Sequence, residues 1–104
     1  MRMRPKDLGE IGLIRRLART VKTDKSVVKG IGDDAAVIKD GHGGYLLFAS
    51  DMLIEGVHFS RASCDLYAVG WKALGVNLSD IAAMGGVPRH ALISLGIPKD
   101  IPLR

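Results

Sequence analysis

The chain has 104 residues, of which 47% are hydrophobic and 25% charged, the size and composition of one small globular domain rather than a disordered segment. Its single cysteine, Cys64, excludes an internal disulfide, and no run approaches the ~18 consecutive apolar residues of a membrane-spanning helix, so we expect a cytoplasmic protein. The net charge of +4 is unevenly divided: residues 1–29 hold nine basic and three acidic side chains, whereas residues 30–104 hold six and eight. An acidic surface that binds phosphate must recruit cations.

The first predicted element is an amphipathic helix over residues 8–21, with Asp7 in position to cap it. Its arginines share one face, which explains the basic excess as a solvated helix surface. The alternative is a nucleic-acid-binding arm, but no aromatic residue interleaves with the charges as in such arms. We therefore expect no nucleic-acid partner and no membrane, and we expect residues 23–29 to form a polar link.

Two strands are predicted next, over residues 35–39 and 45–50, and the glycine-rich turn at residues 40–44 should join them as an antiparallel hairpin. The second strand is apolar throughout, as expected if both its faces are covered. Residues 90–96 also have the pattern of a core strand.

A second helix is predicted over residues 66–84, capped by Asp65 and ended by Gly85 and Gly86. Together the elements predict one α+β domain over residues 1–104, with a mixed or antiparallel sheet covered on one face by helices.

Two adjacent carboxylates follow two glycines in Gly-Ile-Gly-Asp-Asp, at residues 30–34. The spacing superficially matches a dinucleotide-binding fingerprint, but a polar segment precedes it and a strand follows it, so both flanks are wrong. Like charges at close range disfavour ionisation, and a bound Mg²⁺ would compensate them. The alternative is that Asp33 and Asp34 form a turn with local hydrogen bonds.

Two further aspartates extend this acidic set. Asp51 comes where the second strand leaves the core, and Asp80 forms an i, i+3 polar pair with Asn77 inside an otherwise apolar helix. Asp51 could instead be a solvated strand end, and the helical pair could belong to a structural polar network. The pattern as a whole favours magnesium ions held by carboxylates and nucleotide phosphates.

Three motifs carry a resemblance to a known family. They are Gly-Ile-Gly-Asp-Asp-Ala-Ala (30–36), Ser-Asp-Met-Leu-Ile-Glu-Gly-Val-His-Phe (50–59) and Trp-Lys-Ala-Leu-Gly-Val-Asn-Leu-Ser-Asp-Ile-Ala-Ala-Met-Gly-Gly (71–86). With Pro88, they resemble the amino-terminal domain of thiamine-monophosphate kinase, in the superfamily of aminoimidazole ribonucleotide synthetase.

The resemblance implies ATP-dependent phosphorylation of thiamine monophosphate to thiamine diphosphate, with Mg²⁺, by a homodimer that associates through its sheet. It implies that the metal ligands are Asp33, Asp34, Ala49 (through its carbonyl), Ser50, Asp51 and Asp80. It also implies that Asp33, Asp34 and Asn77 contact the nucleotide and that His58 contacts the thiamine phosphate. No catalytic base or covalent nucleophile is expected, because the attacking phosphate is already anionic.

Other functions remain open. The chain could belong to a related ATP-using enzyme, such as a selenophosphate or aminoimidazole ribonucleotide synthetase, or it could be a non-catalytic dimerisation or nucleotide-binding module. The resemblance also implies a second, carboxyl-terminal domain that these residues do not include. We therefore expect the 104-residue chain alone to turn over negligibly.

Overall fold

The computed structural model describes residues 2–103 and contains two helices and three strands. In chain order they are α1 (Pro5–Thr20), β1 (Val27–Lys29), β2 (Ala36–Lys39), β3 (Tyr45–Phe48) and α2 (Leu66–Ala83). The strands form one antiparallel sheet in the order β1-β2-β3. The predicted α+β class is confirmed.

Helix α1 begins earlier than its sequence pattern predicts. Pro5 occupies the first turn, where its missing N–H costs no hydrogen bond, and Arg4 is the N-cap residue. Asp7 lies inside the first turn instead of at the cap, and its carboxylate accepts the Arg4 backbone N–H at 2.9 Å. Gly9 then interrupts the helical backbone with a φ of +69°, a conformation that glycine adopts readily, so the helix is kinked there.

The β2–β3 hairpin is confirmed, and Asp40 explains its tight turn. Its Oδ1 atom accepts the backbone N–H groups of His42 at 2.7 Å and Gly44 at 3.0 Å, while the main chain of Gly44 accepts the Asp40 N–H at 3.1 Å. These bonds fix the register that pairs Lys39 with Tyr45. Strand β3 ends at Phe48, two residues earlier than expected.

Two sequence interpretations are corrected. Residues 27–29 of the expected polar link form β1, a three-residue strand that pairs with β2 across an irregularity in register. Conversely, residues 90–96 form no strand. A strand requires a partner for its backbone groups, and residues 90–96 pair with none of the strands within residues 2–103. Leu92 and Ile93 are 103% and 87% exposed.

Helix α2 matches its prediction closely. The Asp65 carboxylate accepts the Tyr67 N–H at 3.1 Å at its start. At its end, Gly85 has a φ of +72° and the Gly86 N–H donates to the Ile81 carbonyl at 3.0 Å, which satisfies a terminal carbonyl of the helix. Gly86 also packs against the Leu47 side chain of β3, which places the end of the helix in contact with the sheet.

The elements bury little of their surface against one another. Ala35 is the only buried apolar residue among those described, at 3% exposure. The radius of gyration is 17.2 Å, whereas a compact domain of this length has ~13 Å. Apolar side chains such as Trp71 and Phe48 are 75% and 57% exposed, so both α2 and β3 present surfaces that another protein surface could cover.

The close approach at Gly86 gives a stability prediction. A Cβ atom on this residue would overlap Cδ1 of Leu47 and lie 3.0 Å from Cγ2 of Ile81. We expect Gly86→Ala to lower the free energy of unfolding by about 1 kcal/mol. This value is at the lower end of the range for overpacked cores, because the tip of the Leu47 side chain can rotate away. Urea unfolding followed by circular dichroism measures this change.

The matched control is Gly70→Ala, within α2, where an added Cβ meets no atom within 4 Å. Alanine is the better helix former, so this variant should be equally or more stable than the parent chain. A Gly86→Ala protein as stable as the Gly70→Ala protein would contradict the proposed close packing.

Candidate functional site

Three of the predicted metal ligands come from separate segments. Asp34 lies in the loop between β1 and β2, Asp51 lies three residues beyond the end of β3, and Asp80 lies near the C-terminal end of α2. Asp34 and Asp51 are exposed, whereas Asp80 is half-buried. The hairpin and the contact between Gly86 and Leu47 hold these segments in one region of the molecule.

The pKa of Asp80 reflects its burial and the nearness of two other carboxylates. Partial burial raises the pKa of Asp80 above its ordinary value, and the negative charges of Asp51 and Asp34, with a hydrogen bond shared with Asp51, raise it further. Each effect disfavours the ionised form. Asp51 and Asp34 therefore lie close enough to affect Asp80, but residues 2–103 contain no group of three His, Cys, Asp or Glu side chains arranged to hold a metal, and the metal-ligand roles of these aspartates remain predictions.

Asp33 is engaged differently from its neighbour. Its carboxylate accepts the Lys29 ammonium at 2.7 Å and the backbone N–H of Asp34 at 2.9 Å. The hydrogen bond from Lys29 is the main reason that the pKa of Asp33 lies below its ordinary value, and the same bond raises the pKa of Lys29. In this arrangement Asp33 connects the glycine loop to β1, and its two oxygens each keep a lone pair that a cation could use.

Asn77 contributes an unpartnered oxygen one turn before Asp80. Its Nδ2 group donates to the Ala73 carbonyl at 2.9 Å, while its Oδ1 atom is buried and receives no hydrogen bond within residues 2–103. A buried acceptor without a donor is uncommon in folded proteins. The atom is available to a cation or to a donor group of a ligand. Ala49 and Ser50 lie between β3 and Asp51, and their ligand roles remain predictions.

His58 is held in a defined orientation by its own loop. The backbone N–H of Ile54 donates to Nδ1 of His58 at 2.8 Å, and the His58 N–H donates to the Ile54 carbonyl at 2.8 Å. Because Nδ1 accepts a hydrogen bond, the neutral ring carries its proton on Nε2. That N–H is a donor that an anionic ligand could use.

A cavity of about 320 Å³ lies between the His58 loop and the first turns of α2. Its lining combines apolar side chains with a set of polar groups, which are His58, Ser60, Ser63, Cys64 and Lys72. Apart from His58, sequence reasoning did not assign these residues to a site. The sequence feature that could have indicated this cavity is Lys72, a charged residue within a helix of mainly small and apolar residues.

The chain matches the family model described as AIR synthase related protein, N-terminal domain, over residues 32–103. It belongs to this family. The matched segment contains the three interacting aspartates, His58 and all of α2. The resemblance deduced from the motifs is thereby confirmed at the level of the superfamily.

Several curated relatives that resemble this chain share one name. The chain is 48% identical to the thiamine-monophosphate kinase of Aquifex aeolicus over 95% of its own length and 30% of that protein. It is 40% identical to the enzyme of the same name from Synechococcus elongatus over 90% of this chain and 27% of that protein. It is 42% identical to the thiamine-monophosphate kinase of Bacillus subtilis over 88% of this chain and 28% of that protein.

The chain thus spans a little under one third of the length of these curated relatives. A comparison with solved structures gave no significant match. Across residues 2–103, no helix combines the length and apolar character required to cross a bilayer.

The raised pKa of Asp80 gives a prediction about stability and pH. A carboxyl group whose pKa is higher in the folded state favours folding when protonated, and this contribution is lost as pH rises through the folded-state pKa. We expect Asp80→Asn, which keeps the shape without the charge, to raise the melting temperature at pH 7 in a magnesium-free buffer. The difference should shrink as pH falls toward 3.8, the ordinary value for Asp.

The matched control is Asp100→Asn, in the exposed C-terminal segment, which should leave the melting temperature unchanged at each pH. Thermal unfolding followed by circular dichroism checks both variants. A lower melting temperature for Asp80→Asn at pH 7 would mean that the Asp80 charge stabilises the metal-free fold, against the expectation.

Proposed function

We propose that this chain forms the magnesium- and nucleotide-binding part of a thiamine-monophosphate kinase, which transfers a phosphoryl group from ATP to thiamine monophosphate and produces thiamine diphosphate. The observation that carries the proposal is the electrostatic coupling of Asp34 and Asp51 to Asp80. Thiamine monophosphate is proposed as the substrate because of the names of two relatives, whose sequences match 95% and 90% of this chain.

The donor atoms of the region suit Mg²⁺, a hard cation that prefers oxygen and retains waters and substrate phosphates in its coordination shell. Bound Mg²⁺ would neutralise charge on the transferring phosphoryl group. The carboxylates of Asp34, Asp51 and Asp80 would hold it, and the remaining oxygens assigned to this role are those of Asp33, the Ser50 side chain and the Ala49 carbonyl. Repulsion of Asp80 by Asp51 and Asp34 is the expected property of a site whose charges a cation would compensate.

The protein groups would act by positioning and by compensating charge. Asp33, Asp34 and Asn77 would face the nucleotide, with the buried Oδ1 atom of Asn77 still able to accept a hydrogen bond. The Nε2–H group of His58 would donate to the phosphate of thiamine monophosphate, while the Ile54 N–H fixes the ring. The attacking phosphate oxygen is already anionic, so no side chain is needed as a general base.

The proposal includes a cytoplasmic homodimer without nucleic-acid or membrane partners. Tyr45, Leu46 and Phe48 of β3 are 64%, 49% and 57% exposed, and burying such apolar side chains would favour association through the sheet. The relatives that carry the kinase name are about three times as long as this chain. We therefore assign turnover to the intact cellular protein and negligible turnover to the 104 residues alone.

The first test is a magnesium-dependent assay of the intact protein with ATP and thiamine monophosphate. Parallel reactions would contain the substrates of selenophosphate synthetase and aminoimidazole ribonucleotide synthetase. We expect thiamine diphosphate to form only when thiamine monophosphate and Mg²⁺ are both present. Product formation solely from one of the other substrates would replace the proposed activity with that of the related enzyme.

The second test removes single carboxylates. We expect Asp51→Asn and Asp80→Asn each to lower kcat/KM by about two orders of magnitude or more, because several kcal/mol of charge stabilisation would be lost. Circular dichroism should show an unchanged fold, and Asp100→Asn should retain the parent rate. Near-normal rates for both Asp51→Asn and Asp80→Asn would remove these residues from the metal site.

A further inference from the structure

The cavity beside α2 is lined by both polar and apolar side chains. Leu53, Phe59 and Val69 provide apolar contacts, and the hydroxyl groups of Ser60 and Ser63 lie among the lining residues with His58 and Lys72. Its volume of about 320 Å³ lies at the small end of the ~300–1,000 Å³ range typical of small-molecule sites. The cavity therefore suits a small, partly apolar ligand better than a whole nucleotide.

Lys72 is the uncompensated charge of this cavity. The neighbouring cation Arg61 is paired with Glu55, and the ion pairs formed within residues 2–103 do not include Lys72. No carboxylate is among the residues that line the cavity. Lys72 and the Nε2–H group of His58 can only donate hydrogen bonds, and the Ser60 hydroxyl can also donate, whereas the Ser63 hydroxyl donates to the Ser60 carbonyl at 3.5 Å. The polar groups of the cavity are therefore suited to an anion.

We propose that Lys72 is a specificity-determining residue that binds the phosphate of a small organic phosphate monoester in this cavity, together with Ser60. The apolar lining residues would contact the organic part of the molecule. The proposal rests on the proposed function and deepens it, since the ligand would be the phosphate acceptor and not ATP. It adds the three N–H donors of a lysine side chain to the ring donor of His58.

The kinetic test compares Lys72→Gln and Lys72→Arg in the intact enzyme. Loss of a charge-assisted hydrogen bond should raise KM for thiamine monophosphate about tenfold or more, while KM for ATP stays within about twofold. Lys72→Arg should recover most of the affinity because it keeps the charge. The matched control, Lys25→Gln, removes an exposed lysine outside the cavity and should leave both constants unchanged.

A binding test avoids any dependence on turnover. Cys64 is half-buried in the wall of the same cavity, so a bound ligand should slow its alkylation by iodoacetamide. Peptide mass spectrometry would follow the modification of Cys64 in the intact protein with thiamine monophosphate, inorganic phosphate or a non-hydrolysable ATP analogue. We expect thiamine monophosphate to protect Cys64 in the parent protein and in Lys72→Arg, but much less in Lys72→Gln.

The outcomes separate this inference from the proposed function. Kinase activity with an unchanged KM in Lys72→Gln would overturn the role of Lys72 and leave the kinase assignment intact. Lys72-dependent protection of Cys64 by inorganic phosphate, without thiamine monophosphate kinase activity, would support an anion site and remove the kinase. Protection by the ATP analogue alone would overturn the assignment of the cavity to the acceptor.

Discussion

The unfavourable ionisation of Asp80, which is partly buried and lies near Asp51 and Asp34, is the constraint on which the functional interpretation depends. Partial burial at α2 and two neighbouring negative charges all oppose ionisation of Asp80. A fold optimised only for its own stability would gain by replacing one of these carboxylates with a neutral group. Their presence is physically reasonable if a divalent cation compensates the charges, as the proposed function requires.

Local backbone interactions position these charges despite the small core. The Asp40 carboxylate fixes the turn of the β2–β3 hairpin, and the Asp65 carboxylate caps α2. Gly86 brings the end of α2 to Leu47, while Lys29 and Asp33 restrain the glycine loop. Several of these contacts are local in sequence, so they can form without an extensive hydrophobic core.

The parts that could be predicted from the sequence are those with strong local signals. The Asp65 cap and the Gly85-Gly86 end defined α2 almost to the residue, and the Asp40 turn identified the hairpin. β1 escaped prediction because three residues are too few to show alternation, and residues 90–96 lack the partner edge that their apolar pattern implied. For the site, the sequence predicts carboxylate ligands at Asp33, Asp34, Asp51 and Asp80, and these roles stay predictions. The Lys29–Asp33 pair and the cavity at Lys72 depend on side-chain placement that the pattern does not encode.

Helix α2 links the two parts of the proposed reaction. Lys72 and Asp80 are eight residues apart, just over two helical turns, so they lie on adjoining faces with a separation of ~12 Å along the axis. The ammonium group of Lys72 suits the phosphate of the acceptor, and the carboxylate of Asp80 suits a metal ion that accompanies the nucleotide. Asn77 lies between them with its free acceptor atom. One rigid element could thus set the distance between acceptor and donor phosphates, which is the main requirement of a reaction that depends on positioning rather than on a covalent nucleophile.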